Sequence, residues 1–292
     1  MTNKLTVENI SFSYGNKNIL NNVSFTCDNG IFALLGNNGT GKTTLINLLT
    51  GLKKPKYGKI TLNGINLVDT KEYPINLVGY LPQEFKIYDN ITGYDFLSYV
   101  YDSKYLNNRD KNKEIKEVVE KFNLGPIINK KVKSYSGGYK RRLGIAQAVL
   151  GKPKLIIIDE PTVGLDPEQR VEFRNYLSEI SDNAITIISS HIIEDVELFS
   201  KKLLILKDKH ISYNGTIDEI LAESIPNIRT IELSIKEFFE IKNSFTIIEQ
   251  QRINSDKIKV RYINTEGLDI DIENNREKEI SLENAYIYFQ KR

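Results

Sequence analysis

Between Gly36 and Thr43 the chain reads GNNGTGKT, which fits the spacing G-x-x-x-x-G-K-[ST]. Glycines at this spacing let the backbone curl until several N–H groups point at one anion, and a helix starting immediately afterwards adds the positive end of its dipole. Lys42 is suited to neutralise the terminal phosphates of a nucleotide, and the Thr43 hydroxyl to ligate Mg²⁺. Gly36, Asn37, Asn38, Gly39, Thr40, Gly41, Lys42, Thr43 and Thr44 are therefore the expected phosphate cradle. Further along, LIIIDEP, Leu155 to Pro161, ends an apolar run in two carboxylates. Asp159 is placed to hold Mg²⁺ through its water shell, and Glu160 to accept a proton from water attacking a γ-phosphate. That pair points to hydrolysis and not to binding alone.

The elements that must position these groups follow from hydrophobic periodicity. Apolar residues alternate from Val7 to Tyr14 (Ile10, Phe12, Tyr14), the period of a half-buried strand. Ile31 to Leu35 is a short apolar run stopping at glycine, and from Lys42 a helical pattern places Leu45, Ile46, Leu48 and Leu49 inside, with Gly51 closing it. Strand, glycine loop and helix are the context a phosphate loop requires. Three aliphatic strands, Leu155–Ile158, Ile185–Ile188 and Leu203–Leu206, with a Val171–Ile180 helix between the first two, predict an α/β core with a parallel sheet. In such sheets ligands bind at the carboxyl ends of the strands, where Asp159 and Glu160 lie. Residues 84–150 read as mainly helical: an aromatic segment from Tyr94 to Tyr101, a charged amphipathic stretch from Asp110 to Phe122, and a helix from about Gly138. They form an expected helical subdomain inserted into the core, within a domain spanning residues 1–220. From about 225 to 292 the pattern changes to a small α+β appendage, with alternation at Ile258/Val260/Tyr262 and Leu268/Ile270/Ile272. A helix from Ser281 then carries Leu282, Ala285, Tyr286 and Phe289 on one face.

Composition narrows the class. The chain has 292 residues and a net charge of +2, so a dedicated nucleic-acid binder, which would carry a strongly basic domain, is not expected. Even an aliphatic run such as Leu155 to Ile158 falls far short of the ~20 residues that cross a bilayer. MTNKLTVENI has no apolar secretory region, which predicts a cytoplasmic location. Cys27 has no partner cysteine for an internal disulfide, and with 2 histidines no zinc cluster of the usual kind is expected.

SYSGGYKRR, Ser134 to Arg142, resembles the signature loop of the ATP-binding cassette (ABC) family and lies upstream of the Asp159 strand, as in that family. Ser136, Gly137 and Gly138 precede a helix with Leu143, Ala146 and Leu150 on one side, so a hydroxyl, small residues and a helix N-terminus share one anion-binding end. In the family this loop completes the ATP held by the phosphate loop of the opposite subunit, which implies a homodimer or heterodimer with two composite sites. The family's common leucine and glutamine are Tyr135 and Tyr139 here, which puts turnover rate and dimer lifetime in question. The Lys140/Arg141/Arg142 cluster reads as mostly solvated surface.

The resemblance covers residues 5–215 and implies further roles. Tyr14 would stack on the adenine. Gln83 in GYLPQ would touch Mg²⁺ and sense a membrane partner. Asp166 in VGLDP would bridge subunits, and His191 would reach the γ-phosphate. The implied fold is a P-loop NTPase core with an antiparallel β subdomain and an inserted helical subdomain. The implied activity is ATP hydrolysis driving a separate transmembrane permease from the inner face of the membrane. Phe85, Ile87 and Tyr88 would stand exposed where that permease docks. A YSGG loop followed by KRR, with a small tail, resembles the ABC-2-type branch that exports drugs and antimicrobial peptides. Three alternatives share the cassette fold: an importer subunit; a regulatory module in which ATP controls assembly with little hydrolysis, against which Glu160 and His191 speak; and a soluble ATPase acting on ribosomes or DNA. The last usually carries two cassettes or a long coiled coil, and neither pattern is in the sequence.

Overall fold

An apolar run such as Leu155–Ile158 belongs in a sheet covered on both faces, and the computed structural model places it there. The structure describes residues 2–68, 73–104, 110–162, 165–200, 202–264 and 280–292. They divide into two units, Met1–Asn214 and Gly215–Arg292.

The first unit opens with β1 (Lys4–Tyr14), β2 (Lys17–Asp28), β3 (Gly30–Leu35), α1 (Lys42–Leu49), β4 (Tyr57–Leu62), β5 (Ile65–Asn66) and β6 (Val78–Leu81). Then come α2 (Gly93–Ser103), α3 (Lys111–Lys121) and α4 (Gly137–Val149). The chain continues through β7 (Leu155–Asp159), α5 (Pro167–Ser181), β8 (Ile185–Ser189), α6 (Ile193–Phe199), β9 (Lys202–Lys207) and β10 (His210–Thr216). Two sheets result among the described residues: one of order β10-β9-β3-β8-β7-β6 and one of order β2-β1-β4-β5. In the first, β9, β3, β8, β7 and β6 run parallel. In the second, the pairs β1/β2, β1/β4 and β4/β5 are antiparallel.

Period-two alternation along β7 sorts its side chains between two cores. Leu155 and Ile157 join α1 (Leu45, Ile46, Leu49) and the antiparallel sheet (Leu5, Val7, Ile60) on one face. Ile156 and Ile158 join α4 (Leu143, Ala146) and α5 (Phe173, Leu177) on the other. Each such side chain contributes ~1.5–3 kcal/mol on burial, so the register of β7, and with it the position of Asp159, is strongly fixed.

The inserted segment is helical where periodicity predicts. A capping box of Thr92 and Asp95 starts α2, and the Asp110 carboxylate caps α3. Helix α4 is seated against β6 at very close range: a Cβ on Gly79 would stand 1.9 Å from the Ala148 carbonyl oxygen. Gln147 Nε2 donates to the Tyr80 carbonyl at 2.7 Å across the same seam. A Cβ on Gly144 would meet the Phe85 ring at 2.8 Å. This corrects the expectation for the loop after β6: Phe85 and Ile87 are half-buried against the core, and only Tyr88 of the three is strongly exposed, at 84%.

Buried Lys104, the residue that ends α2, donates through Nζ to the carbonyls of Gln147, Ala148 and Leu150 at 3.2, 3.4 and 2.8 Å. A helix leaves its last carbonyls without intrahelical donors, and this ammonium satisfies them. Burial pushes its pKa down to about 8. Lys104→Met is therefore expected to cost ~1–3 kcal/mol, read as a lower midpoint in urea unfolding. An unchanged midpoint would mean that water satisfies those carbonyls equally well.

The second unit contains α7 (Ile217–Ser224), β11 (Ile228–Ser234), α8 (Ile235–Ile241), β12 (Thr246–Arg252), β13 (Lys257–Ile263) and α9 (Leu282–Lys291). Its antiparallel sheet has the order β11-β13-β12. The alternation at Ile258, Val260 and Tyr262 falls in β13, where Val260 and Tyr262 pack with Ile231 and Phe238. The helix expected from Ser281 is α9, with Leu282, Ala285 and Phe289 buried, together with Tyr288. The Leu268/Ile270/Ile272 segment lies outside the described residues. Among the described residues, no helix is long and apolar enough to cross a membrane.

Candidate active site

Because β3, β7 and β8 are parallel and in register, their carboxyl ends open on one edge of the sheet, with Asp159 opposite Ser189 and Leu34 opposite Ser189. The loop after β3 starts at that edge. Its shape depends on glycine: Gly39 and Gly41 have φ of +81° and +111°, a region open to glycine at little cost. A Cβ on Gly36 would lie 2.6 Å from the Leu206 carbonyl oxygen, so the loop runs against β9 with no room for a side chain. Thr40 folds back, its hydroxyl donating to the Asn37 carbonyl at 2.9 Å. Asn37, Asn38 and Gly39 are exposed at the tip.

No side chain caps α1, whose N-terminus follows Gly41 directly. Its first N–H groups thus remain available to an anion. Buried Lys42 sits in the middle of the loop, donating through Nζ to the carbonyl of Gly36 at 2.5 Å and that of Asn37 at 3.4 Å. Burial lowers its pKa, while the negative charges of Glu160 and Asp159 act the other way. Thr43 is exposed on the first turn of α1, and Thr44 is buried beside it.

Across the edge, Asp159 ends β7 as a buried carboxylate that accepts a hydrogen bond from the Ser189 hydroxyl. Glu160 follows at φ +47°, a left-handed conformation worth roughly 1–3 kcal/mol of strain in a non-glycine residue and typical of functional sites. Its N–H donates to the carbonyl and hydroxyl of Ser189 at 3.2 and 3.1 Å. Its side chain meets His191, with Oε2 and Nδ1 2.7 Å apart. A carboxylate oxygen can only accept, so facing the Glu160 side chain the imidazole presents its N–H at Nδ1. Two residues beyond β6, on the same edge, Gln83 is exposed in its loop.

Ser136 caps α4, its hydroxyl accepting from the Tyr139 N–H at 3.4 Å, with Ser136 and Gly137 exposed. A Cβ on Gly138 would come within 3.2 Å of the Gln169 amide. Tyr135 faces inward: it is buried, and its hydroxyl donates to the Ile127 carbonyl at 2.8 Å. It anchors the helical segment, whereas Tyr139 is half-buried beneath the Arg142 guanidinium, 5.1 Å from its ring centre. The basic cluster also departs from the solvated reading. Arg142 pairs with Glu172 at 2.6 Å, and Arg141 turns inward to donate through Nη2 to the Glu160 carbonyl at 3.1 Å. Arg141 and Ser189 were both missed as site residues. Their signals were Arg141's helical spacing from buried Ile145 and Ala148, and a serine ending an apolar strand beside the Asp159 strand.

The structure thus brings Lys42, Asp159, Glu160 and His191 into one site. Tyr14 and Asp166 are engaged elsewhere within this chain. Tyr14, 45% exposed at the end of β1, stacks edge-on against Phe12 and lies beneath Lys53 Nζ, 5.4 Å from its ring centre. Asp166 caps α5, accepting from the Gln169 N–H at 2.9 Å. Beyond Glu160, the buried Thr162 hydroxyl donates to the Asp195 carboxylate, which Arg170 approaches at 3.5 Å, fastening this segment to α6.

Comparison with known proteins accords with this geometry. A family model described as ABC transporter matches residues 20–163. The chain is 37% identical over 237 residues to the uncharacterized ABC transporter ATP-binding protein YxlF of Bacillus subtilis (strain 168), spanning 81% of this chain and 78% of that one. Identity to the linearmycin resistance ATP-binding protein LnrL of the same organism is 34% over 214 residues, 73% and 69% of the two chains. A solved structure described as the ATP binding subunit of an ABC transporter superposes with a TM-score of 0.68 at 30% identity, covering 74% and 91%. Cradle, carboxylate edge and relatives agree: the chain belongs to the ABC transporter family as an ATP-binding subunit that hydrolyses ATP.

Proposed function

We propose that two such subunits, identical or paralogous, close around two ATP molecules and drive a separate membrane permease, working peripherally at the inner face of the cell membrane. The observation that carries the hydrolytic half of this reading is the 2.7 Å pairing of Glu160 with His191 on the sheet edge that also holds Lys42 and Asp159. In this reading the uncapped α1 N-terminus and Lys42 bind the β- and γ-phosphates. Glu160 takes the proton of the attacking water, and His191 orients it against the γ-phosphate. Tyr14 stacks on the adenine. Ser136, Gly137 and Gly138 close over the ATP of the opposite subunit, with Asp166 at the junction.

Thr43, Gln83 and Asp159 offer a hydroxyl, an amide and a carboxylate oxygen, a hard-donor set that suits Mg²⁺. The buried Asp159, braced by Ser189 beside the cradle, is the observation that favours the fit. When bound there, Mg²⁺ would screen phosphate charge. The subunit's own residues hold the phosphates, position the water and accept its proton.

Export of drugs, peptides or similar cargo is the direction favoured, supported by the description of the LnrL relative as a linearmycin resistance protein. The permease contact is assigned to the loop after Gln83, where Tyr88 is exposed. The test is to express Glu160→Gln at native level, fractionate with ATP present, and identify what copurifies from solubilised membranes. A polytopic membrane protein in stoichiometric amount supports the reading. Ribosomes, DNA or no partner at all would leave the cassette chemistry standing and remove transport.

A further inference from the structure

Glu160 is held by its backbone from both sides. Its N–H is bonded to the carbonyl and hydroxyl of Ser189 on β8, and its carbonyl accepts from the Arg141 guanidinium on α4 at 3.1 Å. Between those two clamps the residue adopts φ +47°, the conformation that directs its side chain at His191. A left-handed glutamate persists only where its surroundings over-determine it, and one of the two clamps comes from α4, the helix that Ser136 caps. Arg141 is unusual for a surface-helix arginine. Its Nε is buried with no hydrogen-bond partner, burial lowers its pKa to about 10, and the Asp159 charge favours the cation. Taking a guanidinium out of water is costly unless its position is specified, and the carbonyl it reaches is that of the proposed base.

We propose that Arg141 is a positioning residue for hydrolysis, holding the Glu160 backbone in the conformation that presents its carboxylate, and thereby tying the signature helix to the catalytic carboxylate within one subunit. The proposal rests on Glu160 acting as the base. Arg141 acts on rate and not on nucleotide affinity, because the phosphate cradle around Lys42 is built on a different loop and helix. It supplies one directed donor. A side chain of similar shape without a donor fails at the task, and an uncharged side chain that keeps an N–H retains part of it.

The test compares Arg141→Met and Arg141→Gln, each alone and combined with Glu160→Gln. It measures steady-state phosphate release, equilibrium binding of a fluorescent ATP analogue, and thermal midpoint. Arg141→Met is expected to lower kcat about 10- to 100-fold, the scale of a misplaced catalytic group, with analogue affinity within about twofold of the native chain. Arg141→Gln recovers part of the loss, and in the Glu160→Gln background Arg141→Met causes no further loss, since both act through one carboxylate. A further loss in that background, an affinity loss matching the rate loss, or unchanged kcat in Arg141→Met would each overturn the proposal. Should Arg141→Met fail to fold, the Gln variant decides: native kcat, or equal loss of affinity and rate, excludes a positioning role. Native turnover in Glu160→Gln alone would instead remove Glu160 as base, and the proposal with it, whatever Arg141 does.

Discussion

Glu160→Gln is expected to bind ATP with near-native affinity and to lose about 10²- to 10⁴-fold in turnover, the usual contribution of a positioned general base. Two features make this substitution discriminating. Glutamine has the shape of glutamate, so the buried pocket and the backbone bonds to Ser189 and Arg141 are preserved. The amide can still meet His191 Nδ1, now 2.7 Å from the carboxylate, but it has no basic oxygen able to take a proton from water. The measurement is phosphate release at saturating ATP beside a direct binding titration. Turnover within a few-fold of the native chain would exclude Glu160 as the base and direct the search to another acceptor on the same edge.

Lys42→Ala is expected to act at the other step, weakening ATP binding about 10- to 100-fold, equivalent to ~1.5–3 kcal/mol for a lost charged hydrogen bond. The site explains why one ammonium matters so much. Asp159 and Glu160 are near enough to favour the protonated form of Lys42 against its burial. Phosphates entering a cradle without that cation would face the two carboxylates with only backbone N–H groups in opposition. Titration with ATP, alongside a thermal midpoint measured without nucleotide, separates binding from folding. Unchanged affinity would contradict the phosphate role of Lys42.

What the sequence revealed divides along physical lines. The strands β7, β8 and β9 were legible because burial on both faces leaves an uninterrupted aliphatic run, and the phosphate loop because each of its residue types has one job. Strand β2 was not legible. In KNILNNVSFTCD the inward residues Leu20, Val23, Phe25 and Cys27 are not evenly spaced, and the pairing with β1 carries register shifts that break the period-two signal. In the tail β12 was missed because TIIEQQR has no buried position and hence no apolar alternation. At the site, the place of Asp159 and Glu160 at the end of a buried strand was legible from the apolar run before them, but the Arg141 contact was not. KRR reads as a solvated cluster until the helix phase is known, and only then does its middle residue fall on the face of Ile145 and Ala148. The aromatic loop after Gln83 was misread for the converse reason. Phe85 has a vacant Cβ position on Gly144 to pack against, a contact that crosses 59 positions of sequence and leaves no local pattern.

If this chain holds half of each ATP site, ATP joins two copies or paralogues and hydrolysis parts them. The most direct test is the molar mass of purified Glu160→Gln in solution with saturating ATP, with ADP and without nucleotide. A twofold increase in mass with ATP alone is predicted, since ATP binds and is not consumed. A chain that binds ATP stoichiometrically yet stays monomeric would contradict the composite site, unless mixing with a second ATP-binding subunit restored the doubled mass.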